Sequence, residues 1–132
     1  MIALSATMLG GCRGDGDEGN GRTITSSAGP GRNVTIVGDE YSFDPKGIVL
    51  TGASESAPTT LRLTLQNRGS LAHNARVERD GRELGGTPTF QGGEVRSGEV
   101  ELSPGKYRLV CTVGDHEQLG MVGALEVRAS GG

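Results

Sequence analysis

The sequence predicts an all-β domain of the sandwich type. Short runs rich in Val, Leu and Thr alternate with Gly, Pro, Asn and Asp, a pattern typical of strands joined by turns. Gly is abundant, at 24 residues, whereas Trp is absent and Tyr and Phe number two each. No stretch shows sustained helical periodicity. A chain of 132 residues therefore most simply forms one β domain.

The core of this domain is expected to rest on aliphatic side chains, because aromatic residues are so few. The candidates fall in alternating positions along the apolar runs, as expected for half-buried strands. They are Val34, Ile36, Leu61, Leu63, Leu65, Val77, Leu102, Leu109, Leu125 and Val127.

The N-terminal segment, residues 1–12, has the character of an export signal. Met1 to Gly11 is uncharged and made of apolar or small residues, in a run too short to span a bilayer. Leu9-Gly10-Gly11-Cys12 resembles the cleavage box of bacterial lipoproteins, whose cysteine is lipidated. We therefore expect a lipid anchor on Cys12 and a position in the periplasm or on the outer face of the cell membrane. A frayed apolar terminus with an incidental cysteine is the alternative.

Residues 13–32 are predicted to form a flexible linker. They are rich in Gly, Ser, Asp and Asn and show no apolar periodicity, so they offer little surface to bury. A flexible tether of about twenty residues has a root-mean-square reach of roughly 25 Å. The folded domain is then expected to cover residues 33–129.

Net charge excludes one class of partner. The chain has 13 basic and 16 acidic residues, for a net charge of −3, and no basic stripe. Nucleic-acid binding is therefore not expected.

Four residues form a complete set of soft and imidazole metal ligands. The two histidines of the chain are His73 and His116, and Cys111 and Met121 are the cysteine and methionine that lie outside the N-terminal segment. Two histidines and a cysteine thiolate with a weak axial methionine are the ligands of blue-copper electron-transfer sites. The composition of the domain thus predicts a mononuclear copper site.

The spacing of these residues indicates the conformation of the backbone between them. Cys111, His116 and Met121 follow one another at intervals of five. Neither a helix nor a strand aims three such residues at one ion, because five residues rotate far around a helix and odd separations lie on opposite faces of a strand. The stretch from Thr112 to Gly120 is therefore predicted to be a loop.

The flanking segments are predicted strands in which each ligand occupies the inward parity. Cys111 continues the apolar alternation before the loop, Met121 begins the alternation after it, and His73 begins that of the upstream strand. Three strand ends and one loop are therefore expected to converge at one pole of the domain.

The same residues bear a family resemblance. The run from Gly105 to Val127 resembles the C-terminal copper motif of the plastocyanin/azurin family, the cupredoxins. It matches G-x-Y-x-x-x-C, a four-residue gap and then His. A second four-residue gap, whose last residue is Gly, leads to Met and a small apolar strand. Upstream, Leu63 to Gly69 with His73-Asn74 resembles the first-histidine region, and Tyr41 to Pro45 an early strand. The gap between Cys and His is longer than in plastocyanins and nearer to that of azurin-like and auracyanin-like members.

The resemblance implies a Greek-key cupredoxin sandwich with one copper ion bound by His73, Cys111, His116 and Met121. It further implies that Asn74 ties the two ligand loops together, with Thr112 as its partner. The protein would be a monomer that passes single electrons between redox partner proteins outside the cytoplasm, with the loop histidine as the electron port. It would not be an enzyme.

Other interpretations of these residues fit the sequence less well. Structural zinc usually takes four Cys or His ligands, and methionine is a poor one. A Cys111–His116 nucleophile and base lacks an evident third orienting residue. A disulfide between Cys12 and Cys111 would leave both histidines unexplained, and a multicopper oxidase or nitrite reductase needs further histidines. A copper-binding module for storage, delivery or sensing, without an electron-carrier role, remains the alternative function.

Overall fold

The computed structural model describes residues 22–27 and 32–129, and its regular elements are all strands. These described residues contain no candidate membrane-spanning helix. The strands are β1 (Thr23–Ser27), β2 (Arg32–Asp39), β3 (Ser42–Asp44), β4 (Gly47–Ala53), β5 (Thr59–Asn67), β6 (Arg76–Arg79), β7 (Arg82–Gly86), β8 (Val95–Leu102), β9 (Gly105–Val110) and β10 (Val122–Ala129).

The strands form two sheets, so the predicted all-β sandwich is confirmed. One sheet has six strands in the order β1-β4-β10-β9-β6-β7, and the other has four in the order β3-β2-β5-β8. Both sheets are mixed. β4 runs parallel to β1 and β10, and β2 runs parallel to β5, whereas the other pairs are antiparallel.

The core between the sheets is mainly aliphatic, as predicted. All ten predicted core residues are buried, because alternate side chains of each strand face the opposite sheet. The few aromatic residues add to it, with Phe43, Phe90 and Tyr107 also buried.

The predicted linker over 13–32 is wrong where the structure describes it. β1 lies inside that range and pairs in parallel with β4, from Thr23 opposite Gly47 to Ser27 opposite Thr51. β2 then begins at Arg32. The five residues of β1 are stabilised by backbone hydrogen bonds to a sheet edge, and such pairing leaves little trace in apolar periodicity. The remaining parts of the linker and the N-terminal segment with Cys12 lie outside the described residues.

Several chain reversals meet at one end of the sandwich, which we call the ligand pole. β9 ends there and leads into Cys111, β10 begins there after Met121, and β6 begins there after His73. The two-residue turn Glu40–Tyr41, between β2 and β3, lies at the same end. The ligand pole is thus built from segments far apart in sequence.

Candidate metal centre

The segment from Thr112 to Gly120 is a turn-rich loop, as predicted. Its ends are joined by backbone hydrogen bonds, since the Cys111 N–H donates to the Met121 carbonyl at 3.1 Å and the Met121 N–H to the His116 carbonyl at 3.0 Å. Gly114 and Gly120 adopt φ values of +49° and +117°, which residues other than glycine rarely adopt. The loop therefore folds back so that its residues return to the end of β9.

His73 lies on the upstream side of the pole, ahead of β6. It forms an isolated bridge with Phe90, in which each N–H donates to the other residue's carbonyl, at 3.1 and 3.0 Å. The predicted inward parity holds at His73, Ala75 and Val77, which are fully buried. Asn74 departs from the alternation and is also buried.

Three ligand atoms converge at the pole. The two histidine Nδ1 atoms are 3.2 Å apart, and the Cys111 Sγ lies 3.8 Å from Nδ1 of His73 and 3.6 Å from Nδ1 of His116. Metal–nitrogen bonds of about 2.0–2.1 Å and metal–sulfur bonds of about 2.3 Å place such atoms roughly 3.3–3.8 Å apart around one ion. The triangle therefore has the size that a single metal ion requires.

Met121 is the fourth predicted ligand, and the structure places its backbone beside Cys111 and His116. Its backbone is bonded to both Cys111 and His116, and its side chain is fully buried. Its terminal methyl packs beside β2, where a Cβ added to Gly38 would lie 3.2 Å from Met121 Cε. The absence of a side chain at Gly38 leaves room for the methionine under the pole.

The four predicted ligands are almost completely shielded from solvent. His73, Cys111 and Met121 are fully buried, and His116 is 7% exposed. The mid-loop position of His116 predicts that its ring edge reaches the surface. The structure leaves only this small exposure, because the ring of Tyr41 packs against it, with centroids 5.1 Å apart and planes at 70°.

Asn74 and Thr112, the predicted links between the ligand loops, are hydrogen-bonded to each other. Asn74 Nδ2 also donates to Thr89 Oγ1 at 2.9 Å. The burial of Asn74 thus follows from polar contacts with the loop of Cys111. Outer contacts of this kind orient ligands and tune the metal that they bind.

Sequence reasoning missed Glu40, which contacts His73 directly. Its Oε1 lies 2.9 Å from His73 Nε2, and its Oε2 accepts the Ser70 N–H at 2.6 Å. The Ser70 N–H and then His73 hold the pKa of the Glu40 carboxyl at about 2. Glu40 and His73 are separated by 33 residues, so no local motif could have revealed the pair.

Two ion pairs of Arg108 connect the ligand loop to the six-stranded sheet. Arg108, on β9, donates to Glu78 on β6 and to Glu117 in the loop, both at 2.8 Å. Hydrogen bonding to Glu117 is the main cause that raises the pKa of the Arg108 guanidinium. The acidic residue that follows His116 is thus paired within the chain.

Comparison with known proteins identifies the fold. No protein-family model matches the chain, and no curated protein does either. Among solved structures, auracyanin B is similar at a TM-score of 0.63 and 22% identity, over 75% of this chain and 90% of that one. Auracyanin A, a "blue" copper protein from Chloroflexus aurantiacus, is similar at a TM-score of 0.60 and 22% identity, over 75% of this chain and 99% of that one. A multicopper oxidase is also similar, at a TM-score of 0.56 and 19% identity, over 82% of this chain but 46% of its own. The chain therefore has the cupredoxin fold that the sequence predicts.

Proposed function

We propose that this chain, which has the cupredoxin fold, is a mononuclear type 1 (blue) copper protein that carries single electrons between redox partner proteins. The observation that carries the proposal is the convergence of His73, Cys111 and His116 on one buried point. The similarity to auracyanin A, a blue copper protein, supports it.

The donor set favours copper among the first-row metals. A thiolate suits Cu(I), imidazole nitrogens suit Cu(II), and a trigonal arrangement of the two kinds with a weak axial methionine is found in blue-copper sites. When bound, copper would supply a one-electron couple. The chain's own residues would hold the ligands in nearly fixed positions, because a backbone hydrogen bond joins Cys111 to Met121 across the ends of the loop and Asn74 links the loop to the His73 segment.

The ligand pole is also where a redox partner would dock. Leu71 and Leu119 expose large apolar side chains, and Leu119 belongs to the ligand loop itself. Its N–H donates to the His116 carbonyl at 3.1 Å, so the apolar surface adjoins the ligand that is not fully buried. These features support electron transfer through this pole to a protein with an apolar contact surface.

The proposal extends to location. We place the domain outside the cytoplasm, as a monomer tethered to the membrane through a lipidated Cys12. The apolar run before Cys12 supports this tether.

Copper storage, delivery or sensing is the second candidate, since it uses the same ligands. The full burial of His73 and Cys111 favours the carrier, because a delivery protein has to hand its metal to an acceptor. A multicopper oxidase would need further histidines, and this chain has two. We therefore do not propose an enzyme.

The visible spectrum of the full-length chain loaded with Cu(II) tests the proposal. We expect an intense thiolate-to-copper band, one copper per chain, and reversible bleaching on reduction. Cys111→Ser should abolish the band while circular dichroism still shows the β-sandwich, because the core consists of other residues. Cys12→Ser is the matched control and should keep it.

A colourless wild-type protein would overturn the proposal, and so would an intact band in Cys111→Ser. Incubation of the copper-loaded protein with a chelator distinguishes the carrier role from the delivery role. The carrier should retain its copper through repeated oxidation and reduction, whereas rapid loss in one oxidation state would favour delivery.

A further inference from the structure

The turn between β2 and β3 touches both histidines. It consists of Glu40 and Tyr41, and the residues on either side of it, Asp39 and Ser42, pair across the two strands. We propose that this turn positions the two histidine ligands. Glu40 holds His73 with its Nδ1 toward the metal position, and Tyr41 fixes and shields the ring of His116. The inference deepens the proposed function and rests on it.

The first contact determines the orientation of His73. Glu40 Oε1 and His73 Nε2 are 2.9 Å apart, and Nδ1 of the same ring faces the cluster. A carboxylate can only accept, so Nε2 must carry the proton and Nδ1 is left with a lone pair for the metal. Carboxylate partners of this kind fix the tautomer and raise the basicity of the ligand.

Glu40 is itself held in place. The Ser70 N–H donates to its other oxygen at 2.6 Å, so the carboxylate links the turn to the segment that leads into His73. Gly69 leaves room for this carboxylate, because a Cβ added at Gly69 would overlap Glu40 Oε1. The Glu40 carboxylate thus bridges the Ser70 N–H and the His73 ring.

The second contact requires an unusual backbone. Tyr41 has φ of +66°, in the left-handed region that bulky residues seldom adopt. Such conformations are unfavourable and persist only where the surrounding structure holds them in place. Here the result is an edge-to-face contact of the Tyr41 ring with His116, at a centroid distance of 5.1 Å.

Glu40→Gln tests the charge at His73. The amide keeps an acceptor of similar size but removes the negative charge that stabilises the more highly charged Cu(II) state. We expect the visible band to persist, the reduction potential to rise, and the Cu(II) affinity to fall about 10–100-fold. The control is Glu99→Gln, because Glu99 pairs with Arg62 along the β5–β8 ladder, away from the ligand loops. It should leave potential and affinity unchanged.

A copper-free measurement separates this inference from the proposed function. In the metal-free wild type at alkaline pH, imidazole ¹⁵N shifts should show His73 as the single tautomer with hydrogen on Nε2. Glu40→Ala should give a mixture of tautomers. A mixture in the wild type, or an unchanged single tautomer in Glu40→Ala, would overturn the role of Glu40 whatever metal the site binds.

Tyr41→Ala tests the shielding of His116. Removing the ring should make copper release to a chelator several-fold faster, whereas Tyr41→Phe, which keeps the ring, should match the wild type. Tyr41→Gly removes the ring and relieves the backbone at the same time, so it gives a folded variant even if alanine is poorly tolerated. Release at the wild-type rate from the ring-free variants would overturn the role of Tyr41.

Discussion

Asn74 and Thr112 are joined by two hydrogen bonds. The Thr112 N–H donates to Asn74 Oδ1 at 2.9 Å, and Asn74 Nδ2 donates to Thr112 Oγ1 at 2.9 Å. Each residue directly follows a proposed metal ligand, His73 in one case and Cys111 in the other. The two ligands are therefore held in register by a side chain that binds no metal itself.

Asn74→Ala should destabilise the metal-free protein and loosen the site. The Thr112 N–H loses its acceptor in a part-buried position, which typically costs about 1–3 kcal/mol in the free energy of unfolding. Urea unfolding measures this loss, and the visible band of the copper form should shift or broaden. Thr64→Val is the control, because it removes the part-buried 2.7 Å hydrogen bond to Ser97 on the β5–β8 pair. Thr64→Val should leave the visible band unchanged. An unchanged band in Asn74→Ala as well would mean that Asn74 does not tune the site.

Met121 should set the reduction potential rather than hold the copper. Axial ligand identity tunes blue-copper potentials, so Met121→Leu should raise the potential and keep the colour. Met121→Gln should lower it, because the amide oxygen is a harder donor. Cyclic voltammetry on the two variants measures both shifts. Potentials equal to the wild type in both would make Met121 a core residue only.

The two histidines should differ in their response to removal. His116 is 7% exposed and sits in a loop, so His116→Gly should leave a gap that added imidazole enters, restoring the visible band. His73 is fully buried and bonded to Glu40, so His73→Gly should not be rescued by the same imidazole concentration. Titration with imidazole at fixed copper compares them. Equal rescue of both, or of neither, would contradict the difference in access.

Leu119→Lys should slow electron exchange with a redox partner protein while leaving the visible spectrum unchanged. The added charge disrupts an apolar contact surface, and the side chain is 51% exposed, so folding does not depend on its burial. Leu84→Lys is the control, because Leu84 is similarly exposed at 44% but lies on the edge strand β7. Stopped-flow exchange rates that fall for Leu84→Lys and not for Leu119→Lys would place the docking surface elsewhere.

Cys12→Ala should release the full-length protein from the membrane fraction of a suitable bacterial host. A diacylated cysteine supplies two chains, which is enough for stable attachment. Fractionation followed by mass measurement of the wild type and the variant tests this. Soluble wild-type protein of unprocessed mass would reject the lipid anchor without affecting the copper site.

Local pattern alone was sufficient to predict the all-β class, the aliphatic core and the loop of the site. Alternation along a strand decides which side chains face inward, so buried residues such as Leu63 and Leu109 could be assigned from their neighbours. The ligand spacing in the C-terminal loop is likewise local, since Cys111, His116 and Met121 lie within eleven consecutive residues. His73 could be added because the chain offers so few soft and imidazole donors.

Only the tertiary structure decided which groups surround these ligands. Glu40 and His73 are 33 residues apart and meet because β2 and β5 run parallel and end at the same pole. β1 became a strand through pairing with β4, a contact that its own Gly- and Ser-rich surroundings do not encode. Periodicity reports how a segment faces the core, whereas edge pairing and polar contacts between distant turns depend on where the rest of the chain has folded.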